Sequence, residues 1–148
     1  MSAVFRGHVI VAGEAVGAAA VTTRPFNTLA ALYDSVVGCR GRLVAEDPDD
    51  PALLGVDLAG RVLCAPGGAG STSGGAMWEQ IARDGIGPAA VLLSGPADPI
   101  LAAGLALAAQ WTPHPIPAVC ELGDGFLAAV RSGDPVRVEA DGAVVVGA

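Results

Sequence analysis

Residues Pro66 to Gln80 read Pro-Gly-Gly-Ala-Gly-Ser-Thr-Ser-Gly-Gly-Ala-Met-Trp-Glu-Gln, and this stretch restricts the fold more than any other. The apolar run Arg61-Val62-Leu63-Cys64-Ala65 before it reads as a buried strand, and helical apolar spacing follows it, with Met77 and Ile81 one turn apart. The chain must therefore pass from a strand through a glycine-rich turn into a helix. Five glycines among nine residues (67, 68, 70, 74 and 75) allow positive φ and close approach of another molecule to the main chain. Ser71, Thr72 and Ser73 place three hydroxyls among them. A helix start offers unpaired amide hydrogens and a partial positive charge, so anionic groups are favoured there.

The rest of the chain supplies the elements around this turn. Gly7–Ala12 and Val16–Thr22 are β-rich pieces split by Gly13-Glu14, predicting a hairpin or two barrel-like strands. Asn27 is placed to cap a short helix over Thr28–Asp34, and the acidic, proline-bearing segment Glu46–Pro51 is expected to be an exposed loop. Gly85-Ile86-Gly87-Pro88 ends the helix after the glycine turn, and Ala89–Leu93 is a fully apolar strand. Asp98 and Pro99 suit the N-cap and first position of the next helix, whose buried stripe is Leu101, Leu105 and Ala108. Ala118–Cys120 reads as a short strand, and Pro135–Val146 as a hairpin turning at Asp141-Gly142. The expected architecture is one mixed α/β domain over residues 1–148, with a parallel central sheet, flanking helices and β-structure from both termini.

Composition narrows the function classes. Hydrophobic residues make up 52% of the 148 and charged residues 16%, so much of the chain must be buried in its own core or against a partner. A net charge of −7 with eight Lys and Arg argues against nucleic acid or an anionic membrane surface as partner. Gly, Pro or a charge interrupts every apolar run before the ~18 residues a membrane span needs. The start, Met1-Ser2-Ala3-Val4-Phe5-Arg6, lacks the pattern of a signal peptide, so the expected compartment is the cytoplasm. Cys39, Cys64 and Cys120 are widely spaced, which fits reduced thiols rather than disulfides or a metal site within this chain.

A run of motifs in order resembles a known family: Gly13-Glu14, Gly-x-Gly-Ser-Thr-x-Gly at 68–74, Pro-Ala-Ala-Val at 88–91, Asp-Pro-Ile-Leu at 98–101, Ile-Pro-Ala-Val at 116–119 and Gly-Asp-Pro-Val at 133–136. Together they look like the small subunit of aconitase X, the counterpart of the swivelling β/β/α domain of the aconitase superfamily. The resemblance implies a large-subunit partner carrying an iron or iron–sulfur centre, with no cofactor or metal bound by this chain. It also implies a hydro-lyase acting on a small hydroxy acid; members with an assigned function dehydrate phosphomevalonate or cis-3-hydroxyproline. It assigns proton abstraction to Ser71 and a surrounding substrate pocket to Gly70, Thr72, Ser73 and Gly74.

The chemistry fits that assignment. A proton next to a carboxylate is weakly acidic, and a serine hydroxyl is a usable base only as a stabilised alkoxide. No Lys, Arg or His lies between Val62 and Ala82, so the positive charge must come from another chain. Departures from the family pattern are Pro25–Ala31, where members carry a Ser-Phe-Trp-Gly-Gly-Val-Asp-like segment, Ala69 at an often basic position, and Gly75 where many have serine. They leave the hydroxy acid open.

Plainer roles stand beside these. The glycine turn could serve the fold alone, Ser73 suits a helix cap, Cys64 a core position, and Asp98 is sufficiently explained by capping. His8, in a strand, and His114, among prolines, have no motif around them. Two other classes are a non-catalytic binding or regulatory module of the same fold, and a phosphohistidine-type swivelling domain. The latter lacks its histidine, since Gly74 and Gly75 stand at the helix start.

Overall fold

The computed structural model describes residues 2–38 and 40–147. In chain order the elements are β1 (Ala3–Phe5), β2 (His8–Val11), β3 (Ala15–Val21), β4 (Phe26–Asn27), α1 (Thr28–Val37), β5 (Val62–Ala65), β6 (Gly68–Ala69) and α2 (Ser73–Arg83). There follow β7 (Ala90–Leu93), α3 (Pro99–Trp111), β8 (Ala118–Cys120), α4 (Asp124–Ala129), β9 (Pro135–Val138) and β10 (Val144–Val146). One eight-stranded sheet runs in the order β1-β10-β9-β3-β5-β7-β8-β2, and β4 and β6 form a separate two-stranded ribbon. Neighbours from β3 to β8 are parallel, and the terminal strands pair antiparallel on either side.

The strand order forces closure. β1 and β2 are the two edges of the sheet, yet only Arg6 and Gly7 join them. Three Cα steps reach about 11 Å, whereas seven strand spacings in a flat sheet span roughly 34 Å. The sheet therefore curls until its edges approach. Val9 of β2 lies against Gly142 at the β9–β10 turn, where an added Cβ would sit 2.4 Å from the valine methyl. The exposed Arg6–Asp141 ion pair, 3.2 Å, bridges the same seam. Gly7–Ala12 and Val16–Thr22 accordingly form separate barrel-like strands, not the alternative hairpin: β2 pairs with β8, and β3 with β5 and β9.

Closure divides the core in two by strict alternation along each strand. Ala19, Val62, Cys64, Ala90, Leu92, Val119, Val136, Val138, Val144 and Val146 point to one cluster inside the curl. Leu122, Phe126 and Val130, on and around α4, plug it, and the Phe126 ring meets that of Phe5 edge-on with centroids 5.5 Å apart. Ala20, Leu63, Ala65, Val91, Leu93 and Ala118 point outward to a second cluster beneath α1, α2 and α3. Because β5, β7 and β8 are buried on both faces, all their residues are apolar.

Cys64 sits inside the curl, and burial pushes its thiol up to about 12 from 9.0. Its folded-state value lies above that of the unfolded chain. The stability it contributes is therefore present in full below pH 9 and is lost as pH rises from 9.0 towards 12. Iodoacetamide at pH 8, followed peptide by peptide, should leave Cys64 unmodified until the chain unfolds; rapid modification of the folded chain would contradict this placement. Cys120 is also a buried free thiol, while Cys39 lies outside the described residues.

One surface expectation is corrected. Within Glu46–Pro51, Asp50 is only 6% exposed, and its Oδ1 accepts the Thr22 hydroxyl at 2.8 Å. Thr22 Oγ1 accepts the Arg24 amide in turn, so the loop is tied to the end of β3. Asp50 can be buried there because its Oδ1 has the Thr22 hydroxyl as a partner. Among the described residues no helix is long and apolar enough to cross a membrane.

Candidate functional site

Three helix starts converge at the end of the sheet where the parallel strands point, the edge at which α/β folds place ligands. α1 begins with Asn27 as N-cap, its Oδ1 accepting the Ala30 amide at 3.1 Å. α3 begins with Asp98, whose Oδ1 accepts the Ile100 amide at 2.9 Å, followed by Pro99. Both caps are as the sequence predicts. α2 differs: Thr72 is its N-cap and makes no side-chain capping bond.

The local exchange of roles bears on Ser71. Ser73 is not the cap but the first helical residue, and Ser71 Oγ accepts the Ser73 amide at 3.2 Å. The physical reason is reach: an ST turn lets a hydroxyl bond the amide two residues on, which Ser71 can do and Ser73 cannot do for the amides before it. The main chain turns at Gly70, φ +103°, where a side chain would strike Asn27 Oδ1 at 2.4 Å. Ser71, Thr72 and Ser73 are all solvent-exposed. Among the described residues the amides of Ser71 and Thr72 have no hydrogen-bond partner. The loop therefore presents an exposed hydroxyl, two free amides and the positive end of α2.

The surrounding glycines set how closely the helices meet. Gly75 on α2 and Gly104 on α3 touch backbone to backbone, and a Cβ on Gly104 would lie 2.4 Å from the Gly75 carbonyl oxygen. Gly74 faces Thr28 of α1, which is pinned by the Trp78 indole N–H donating to Thr28 Oγ1 at 3.1 Å. Gly74 and Gly75 are buried, so their first explanation is packing, while Gly74 still contributes to the wall of the site.

The result is a shallow depression lined by Thr28, Gly70, Ser71, Gly74, Asp98 and Ile100 among others. Its enclosed volume is about 10 Å³, room for roughly one water. No Lys, Arg or His lines it. Thr72 and Ser73, at the start of α2, lie beside it rather than in its lining, and His8 and His114 are exposed elsewhere. Sequence reading missed the lining from other helices: Thr28, Asp98, Ile100 and Leu101. The two caps were visible as caps, but nothing local tells that their helix starts meet Ser71. Among the described residues no three His, Cys, Asp or Glu side chains gather to hold a metal.

The family model of the aconitase X swivel domain matches residues 4–146. The chain is 34% identical over 137 residues to the phosphomevalonate dehydratase small subunit of Archaeoglobus fulgidus, covering 93% of this chain and 92% of that one. It is 40% identical over 74 residues to the cis-3-hydroxy-L-proline dehydratase of Pseudomonas aeruginosa, half of this chain and 12% of that protein. Its structure superimposes on the crystal structure of Thermococcus kodakaraensis aconitase X in its holo-form with a TM-score of 0.80 and 28% identity, covering 97% of this chain and 98% of that chain. With a family match over nearly all of its residues and a shared fold, the chain belongs to the aconitase X swivel domain family.

Proposed function

We propose that this chain is the small subunit of a two-chain dehydratase, which removes water from a small hydroxy acid in a site shared with a large subunit. The observation that carries the reading is the exposed Ser71 hydroxyl, set at the start of α2 in a depression far too small to hold such a substrate. The remaining walls must come from another molecule.

In this reading Ser71 acts as the base. The Ser73 amide already donates to its oxygen, and the start of α2 adds a positive field; both favour the alkoxide over the neutral hydroxyl. The alkoxide takes the proton from the carbon next to the substrate's carboxylate. The electron pair left behind forms the C=C bond as the C–O bond breaks, and the departing hydroxide takes up a proton to become water. The free amides of Ser71 and Thr72 would hold an anionic oxygen of the substrate. We place the iron or iron–sulfur centre of the family in the large subunit. The described residues do not fit such a centre, since Cys64 is enclosed in the curl with its thiol held protonated.

Relatives matched over nine-tenths of their length are phosphomevalonate dehydratase small subunits, which makes phosphomevalonate the first substrate to test and cis-3-hydroxyproline the second. With either, turnover is expected only when this chain and its large subunit are mixed. Full activity of the large subunit alone, or none from the complex on any small hydroxy acid, would overturn the proposal.

A further inference from the structure

We infer that the outward face of α3 is the surface on which the large subunit docks, reaching from the rim of the Ser71 depression along the helix to Trp111; the inference rests on the two-subunit reading above. α3 is Pro-Ile-Leu-Ala-Ala-Gly-Leu-Ala-Leu-Ala-Ala-Gln-Trp, thirteen residues without a charge and with Gln110 alone among ordinary polar side chains. Its inner face, Leu101, Gly104, Leu105 and Ala108, is buried. Its outer face is apolar too: Ala103 and Ala106 are exposed, Leu107 is half-buried, and Trp111 is 64% exposed. A helix apolar all round is normally covered on all sides, and a surface helix carries charges on its wet face. α2 beside it obeys that rule, with an ion pair between Glu79 and Arg83 and a hydrogen bond from Gln80 to Asp84.

Position identifies the occupant. Ile100, Ala103, Leu107 and Trp111 follow one another at helical spacing along a single face. The first of them, Ile100, lines the depression beside Ser71. A molecule that closes the depression therefore meets this face at its Ile100 end. Ala103 and Ala106 also form one wall of an open groove of about 520 Å³, whose other wall is the edge strand β2 at His8, Val9 and Ile10. Small side chains on one wall and an edge strand on the other suit a protein segment of mostly apolar side chains, with His8 and Glu121 in the lining to meet its polar groups.

The test uses this chain with its large subunit, and reads complex formation separately from turnover. Ala103→Glu and Ala106→Glu change exposed helical positions to a residue that is a good helix former, though below alanine, so each variant should melt within a few degrees of wild type. In titration calorimetry each should weaken large-subunit binding by about 100-fold or more, because a charge would be stranded in an apolar contact. Val16→Glu, on a face that is 71% exposed but lies on another groove, should leave the affinity unchanged. Wild-type affinity in both α3 variants, or loss of binding in Val16→Glu instead, would overturn the inference while leaving Ser71's role standing. Self-association of the isolated chain through α3, persisting when the large subunit is added, would also overturn it. A wild-type chain that binds no large subunit would overturn both readings, whereas a Ser71→Ala chain that assembles but does not turn over is consistent with both.

Discussion

Ser71→Ala is expected to lower kcat of the reconstituted two-chain enzyme by about a thousand-fold or more, with KM and complex affinity little changed. Removing a positioned base costs on the order of 10²–10⁴ in rate. The upper part of that range applies because Asp98 is the one other ionisable side chain lining the depression among the described residues, and its Oδ1 already accepts the Ile100 amide. The structural cost should be small, since the hydroxyl is exposed and its one bond is to the Ser73 amide. Loss of such a capping bond costs about 1 kcal/mol. Ser73→Ala provides the comparison: its side chain caps nothing, so turnover should fall by less than about tenfold. Near-wild-type turnover in Ser71→Ala would leave Ser71 only its turn-forming bond to Ser73.

The largest effect on stability is expected at Trp78. Its side chain is fully buried, packs 6.5 Å from the Phe26 ring and donates its indole N–H to Thr28. Trp78→Ala would open a cavity between α1 and α2 at a cost of about 3–5 kcal/mol, a large share of the roughly 5–15 kcal/mol that holds a domain folded. Trp78→Phe keeps most of the packing and loses the hydrogen bond, for about 1–2 kcal/mol. Urea unfolding at constant m-value separates the two. Equal midpoints for wild type and Trp78→Ala would contradict the packing described. The consequence extends to function, because the Thr28 that Trp78 anchors is part of the depression's wall.

Local signals in the sequence were read correctly because their causes are local. Asn27 and Asp98 cap their own helices, and Asp141-Gly142 turns the hairpin between β9 and β10, with Gly142 at φ +88°. Closure of the sheet was not legible. β5, β7 and β8 are apolar on both faces, so no alternation reveals which residues face the interior, and the two-residue link Arg6-Gly7 has a meaning only once the strand order is known. α4 is six residues long and too short for a periodic signal, although its Phe126 fills the interior. Asp50 reads as part of a solvated run because its partner, Thr22, is 28 residues away. The site divides in the same way. The glycine turn announces itself, whereas Thr28, Asp98, Ile100 and Leu101 come from helix starts that only the folded layer brings together.

Loss of deuterium from the substrate tests most directly whether Ser71 removes the proton. In a single turnover of the assembled complex, with substrate carrying deuterium at the carbon beside its carboxylate, the wild-type enzyme should release that deuterium during dehydration. The complex containing Ser71→Ala should release it slower by the same factor as overall turnover falls. Release at the wild-type rate from the Ser71→Ala complex would place the base elsewhere and contradict the assignment of Ser71.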